Sequence, residues 1–165
     1  MQHLSMEAQV LLHEVRSQFG ESVAPQPSSD KTARPGDISL TVPSPGHPGH
    51  FLEIAQYGTV VEVRYDDARP PGPAERLWIA PEGQFLAAAQ GVGAFLSDLV
   101  NENVVVVRER LGWLTRLFRR DCEDLAWFRE IEELAANTSA RIVAVYSWHG
   151  TRSRPLARES GLTSA

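Results

Sequence analysis

Residues 37–65 read DISLTVPSPGHPGHFLEIAQYGTVVEVRY. Ile38, Leu40 and Val42 alternate with Asp37, Ser39 and Thr41, the period-two pattern of a half-buried strand. The proline- and glycine-rich PSPGHPGH that follows is a turn. HFLEIAQ and TVVEVRY then stand on either side of Tyr57-Gly58 and are expected to form a hairpin. In the second of these, Val61, Val63 and Tyr65 share one face, and Glu62 and Arg64 the other. This half of the chain is expected to be antiparallel sheet.

Working toward the N-terminus, residues 21–36 (ESVAPQPSSDKTARPG) are poor in apolar side chains and rich in proline and serine, which marks a linker or surface loop. Before it, Leu4, Ala8, Leu11, Val15 and Phe19 fall at helical spacing. Ser5 suits the N-cap and Gly20 the C-terminal stop. A helix is expected within residues 1–20, docked either on its own core or on a neighbouring chain.

Toward the C-terminus, DDARPPGPA (66–74) is a loop and ERLWIA (75–80) a short fourth strand. Pro81 opens a second helix whose apolar stripe is Phe85, Ala89, Val92, Leu96 and Leu99. Gly91 and Gly93 each cost about 1 kcal/mol relative to alanine in a helix interior, so close packing is expected to offset them. Val104–Val107 is a continuous β-branched run, as in a strand buried on both faces. Asp121 and Asp124 suit the cap of a third helix bearing Cys122, Leu125, Phe128, Ile131 and Leu134. RIVAVYSW (141–148) is a last strand. Strand–helix–strand over this span suggests a right-handed parallel crossover.

The fold expected is therefore α+β: a single domain whose mixed sheet has antiparallel N-terminal strands and a C-terminal βαβ unit, packed with two to three helices. The core spans residues 37–150, and the polar stretch 151–165 is expected to be an unstructured tail.

The 42% apolar content and 22% charged content are those of a globular chain and exclude wholesale disorder. Cys122 is the sole cysteine, so neither an intramolecular disulfide nor a multi-cysteine zinc site can form. No secretory-signal pattern opens the chain, and no apolar run approaches the ~20 residues of a membrane span. A cytoplasmic location, without membrane association, is expected. The formal charge of −5 disfavours nucleic acid as a partner. That charge is uneven: residues 108–120 carry five arginines against Glu109, a local +4, which leaves −9 elsewhere.

Four groups of residues bear on chemistry. His47 and His50 could reach one zinc or nickel ion with His149 or Asp37 as a third ligand, but nothing visible orients them as ligands; a Pro/Gly turn that happens to carry histidines is the reading preferred, and no metal is expected. Ser147, His149 and Arg152 lie at the end of the last strand, where an anion or small ligand could be gripped, with Arg154 following. Glu53, Glu62, Asp66 and Asp67 could pair as carboxylates, and read more simply as a solvated face. Finally, Arg110, Trp113, Arg116, Arg119 and Arg120 combine the residue types that dominate protein–protein contacts.

Phosphate-cradling glycine loops, HExxH, nucleophile elbows and CxxC pairs are all missing from the sequence. The function expected is a non-catalytic cytoplasmic interaction module of the adaptor, inhibitor or immunity type. Its partner would be another protein, with self-association left open and no cofactor. The alternative is a small-molecule-binding or hydrolytic domain using Tyr146–His149, joined by His47 and His50 if their loop folds back. Cys122 is expected to be a quiet core residue.

Overall fold

The alternation in residues 37–65 produces three neighbouring strands. The computed structural model describes residues 3–28, 32–66, 74–81, 83–109, 122–128, 131 and 142–155. Within them β1 (Gln26–Pro27), β2 (Ile38–Pro43), β3 (Phe51–Tyr57), β4 (Val60–Asp66) and β5 (Ala74–Ile79) form an antiparallel sheet in chain order. Leu40, Ile54 and Val63 stand side by side in register, as do Val42, Leu52 and Tyr65. All six are buried. The β3–β4 turn is Gly58-Thr59, one residue beyond the expected position. Tyr57 pairs with Val60, and Gly58 takes φ +60° as the first residue of the two-residue loop.

Two helices cover the core face of this sheet. In α1 (Met6–Phe19) the Ser5 hydroxyl accepts the Ala8 N–H, and Gly20, at φ +88°, donates its N–H to the Arg16 carbonyl. Ala8, Leu11 and Val15 are fully buried against the sheet's own core, so the helix docks within its own chain. All five stripe residues of α2 (Phe85–Val100) are buried, and the helix runs unbroken through Gly91 and Gly93. Glu14 of α1 lies where a Gly93 side chain would stand, so this glycine lets the two helices approach. Gly91 instead faces Trp78 of β5, which also packs on Phe95 with ring centroids 5.2 Å apart.

The C-terminal half departs from expectation. β6 (Val104–Glu109), β7 (Cys122–Trp127), β8 (Ile142–Tyr146) and β9 (Arg154–Pro155) form a second sheet in the order β7-β6-β8-β9, and every pairing is antiparallel. No parallel crossover joins β6 to β8. Residues 122–127, expected at the start of a helix, form a strand with β6, while Phe128 and Ile131 are helical. The acids at 121, 123 and 124 invited a capping interpretation, yet pairing with the valine strand overrides that local preference. β6 is buried on both faces as its sequence implied: Val104 and Val106 enter the main core, and Val105 and Val107 join Val145 and Ile131 in a second cluster. A continuous apolar run reports burial on two sides, and strand direction is a separate matter.

Two stretches expected to be loose are tied down in part. Gln26–Pro27 pairs with β2, and Val23 is buried. After Gly150, Arg154 and Pro155 pair with Val145 and Ala144, so the stretch assigned to an unstructured tail is docked as far as Pro155. Residues 156–165 lie outside the described residues.

A methyl group on Gly91 would meet Trp78 Nε1 at 3.5 Å and Cδ1 at 3.6 Å, ordinary van der Waals contacts. Gly91→Ala should therefore raise stability by about 0.5–1 kcal/mol, through helix propensity alone. Urea denaturation of the two proteins would measure this; a loss of stability would mean that Trp78 has no room to accommodate the methyl.

Candidate functional site

The histidine loop does fold back on the end of β8. Trp148 is buried just past that strand, and its carbonyl accepts both the Ser44 hydroxyl at 3.0 Å and the Gly46 N–H at 3.2 Å. The approach is so close that a Cβ on Gly46 would overlap the His149 and Gly150 backbone, so only glycine fits. Rings then follow one another inward. His47 lies 5.5 Å from His50 and 5.7 Å, edge-on, from Tyr146, and His50 lies 5.7 Å from Tyr65. Tyr65 stacks edge-on against Trp148, which meets Phe19 of α1 at 5.6 Å. His47 Nε2 stands 2.9 Å from the Ser153 hydroxyl, which also accepts the Ser147 N–H.

Beneath this loop pair lies Glu102, which nothing in the sequence singled out. It joins α2 to β6 with φ +58°, a left-handed conformation that costs a side-chain-bearing residue roughly 1–2 kcal/mol. Its buried carboxylate accepts the His149 N–H at 2.8 Å, the Thr151 N–H at 3.4 Å and the Thr151 hydroxyl. The Ser147 hydroxyl also bonds to it. Burial by itself would raise this carboxyl's pKa. The hydrogen bonds from Thr151, Ser147 and the two backbone N–H groups outweigh that and hold it below the ordinary value of 4.5.

The groups proposed to grip a ligand are thereby engaged in structure. Ser147 is buried, and its hydroxyl also accepts the Arg152 N–H at 2.9 Å. The Arg152 guanidinium donates to the Glu102 carbonyl at 3.0 Å and lies 4.5 Å above the Phe128 ring. His149 is exposed, in the turn after β8, so it shares no strand face with Ser147. Every strand pairing among the described residues is antiparallel, so the end of β8 is not the carboxyl edge of a parallel sheet, where ligands commonly sit. What remains at the site is an aromatic and imidazole surface rather than a poised nucleophile.

The other candidates are kept apart. Asp37 is buried, accepting the Arg34 and Gly58 N–H groups and the Gln56 amide, and so is not a third ligand for His47 and His50. Among the described residues no three His, Cys, Asp or Glu side chains converge on a metal position. Glu53 and Glu62 share a sheet face, but Glu62 is buried rather than solvated, and Arg64 lies between them, 3.9 Å from one and 2.6 Å from the other. Arg110, Trp113, Arg116, Arg119 and Arg120 lie outside the described residues, as does Asp67. Cys122 opens β7 opposite Glu109. No helix among the described residues is long and apolar enough to cross a membrane.

The chain matches no protein-family model, and neither a curated protein nor a solved structure shows significant similarity to it.

Because the folded Glu102 carboxyl titrates below its unfolded value, its contribution is complete above about pH 4.5 and disappears as pH falls through the folded value. Glu102→Gln should cost about 1–3 kcal/mol at neutral pH and flatten the acid limb of the stability curve. Urea midpoints across a pH series would read both effects, and an unchanged acid limb would remove Glu102 from that role. Gly46→Ala should cost more than about 2 kcal/mol, since backbone rather than a flexible side chain must move. A midpoint shift of only a few tenths would show that the loop has another way to dock.

Proposed function

We propose that the protein is a non-catalytic interaction module that presents residues 110–121 to a partner protein. One observation carries this reading: Glu109 and Cys122 are paired residues of antiparallel β6 and β7. Two residues could close such a hairpin, yet twelve lie between them. Connections of this length are uncommon in small domains and are concentrated among binding segments. Strand pairing holds both ends of the segment, which reduces the entropy lost when it meets a partner.

The composition of the segment points the same way. Arg110, Arg116, Arg119 and Arg120 accompany Trp113 and Phe118 in a chain that is otherwise acidic. Guanidinium groups form bidentate pairs with carboxylates and stack on rings, so an acidic, aromatic-bearing protein surface is the complementary partner. The competing hydrolytic reading loses support because the Ser147 hydroxyl accepts the Arg152 N–H and the Arg152 guanidinium donates to the Glu102 backbone carbonyl.

Arg116→Glu combined with Arg119→Glu tests the proposal. A partner captured from native lysate by the unmodified protein should be lost, with affinity reduced about 100-fold or more, while the thermal midpoint stays within about 2 °C. Retained binding, or a fold that collapses when the charges are reversed, would reject it.

A further inference from the structure

We infer that the cleft between the first turns of α1 and α2 is a two-fold interface between copies of this chain. It encloses about 290 Å³ and is walled by Met6, Val10, Phe85 and Leu86, with Glu7 and Thr59 at one side. Met6 is 74% exposed and Leu86 57%. Ile79, also 74% exposed, precedes Ala80, whose N–H bonds to the Thr59 carbonyl at the cleft's margin. Leu77 stands exposed two residues earlier on the same side of β5. The large exposed apolar side chains of the described residues are thus Met6 and Leu86 in the cleft and Leu77 and Ile79 on the strand leading to it. Such a gathering on an acidic, otherwise well-packed domain marks a contact surface.

Charge identifies the occupant. A smaller recess of about 150 Å³ continues from the cleft through Glu7 and Thr59 and is lined by Arg34 and Asp37. The Asp37 carboxylate is already engaged by the Arg34 and Gly58 N–H groups and the Gln56 amide. The Arg34 guanidinium and the Glu7 carboxylate line this one recess, and neither has an ion-pair partner among the described residues. In an isologous contact each pairing occurs twice, residue i with j of the other copy and j with i. An apolar cleft flanked by one unpaired cation and one unpaired anion is complementary to itself under that symmetry. Arg34 of each copy faces Glu7 of the other, while Met6 and Leu86 fill the opposing cleft. A partner of a single charge would satisfy only one of the two groups.

The interface shares no residue with segment 110–121, so either proposal stands if the other fails. Sedimentation equilibrium of the full chain at neutral pH and low salt, over a concentration series, should give a monomer–dimer equilibrium that weakens as salt is added. Leu86→Asp should weaken the dimer about 100-fold without lowering the monomer's thermal midpoint, because the side chain is exposed. Glu7→Arg alone and Arg34→Glu alone should each weaken it about 10-fold, and the two together should restore it to within about 3-fold. A chain that stays monomeric throughout, a dimer indifferent to Leu86→Asp, or a double variant no better than the singles would overturn the inference. Binding of a small amphiphile to the monomeric chain, displaced by Leu86→Asp, would assign the cleft to a ligand instead.

Discussion

The Glu102 carboxylate fixes the turn after β8, the turn on which the 44–50 loop of the first sheet docks. The first sheet ends at β5 and the second begins after α2, and among the described residues no backbone ladder runs between them. Glu102 sits at the junction, and its carboxylate binds the turn that follows β8. That turn in turn receives the 44–50 loop of the first sheet through the Trp148 carbonyl. A buried charge is tolerable here because several donors surround it, so desolvation is offset by hydrogen bonds to the ionised form. The left-handed backbone at Glu102 is accepted for the same reason: glycine would relieve the strain and remove the acceptor.

Around that junction the two sheets share a core. β6 supplies alternate valines to the main cluster and to the smaller one with Val145 and Ile131. Trp148 packs between Phe19 and Tyr65, which come from the N-terminal helix and the first sheet. A small domain of two antiparallel sheets gains most from residues that serve both, and these aromatic and valine positions do so.

Ser147 and Arg152, which looked chemical in the sequence, prove to be means of holding loops, and other polar residues nearby do the same. Ser44, Ser147, Thr151, Arg152 and Ser153 each fix a turn. The Ser147 hydroxyl is thus engaged, while His149 stands exposed in the turn after β8. Among the described residues, the large apolar side chains left exposed are elsewhere: Met6 and Leu86 near the helix starts, and Leu77 and Ile79 on β5.

The sequence by itself determined the elements whose signals are local. Ser5 and Gly20 bound α1, the alternation of Ile38, Leu40 and Val42 produces β2, and the Phe85–Leu99 stripe produces α2, because capping, periodicity and turn geometry act within a few residues. It also indicated that β6 is covered on both faces. Only the tertiary structure decided that β6 runs antiparallel to β7 and β8, since side-chain alternation is identical for either strand direction. It likewise decided that residues 122–127 are strand, because pairing with a buried valine ladder outweighed the helix-capping acids beside Cys122. The convergence of His47 with Tyr146 and the burial of Glu102 rest on contacts between residues roughly fifty to a hundred positions apart, which no local pattern encodes.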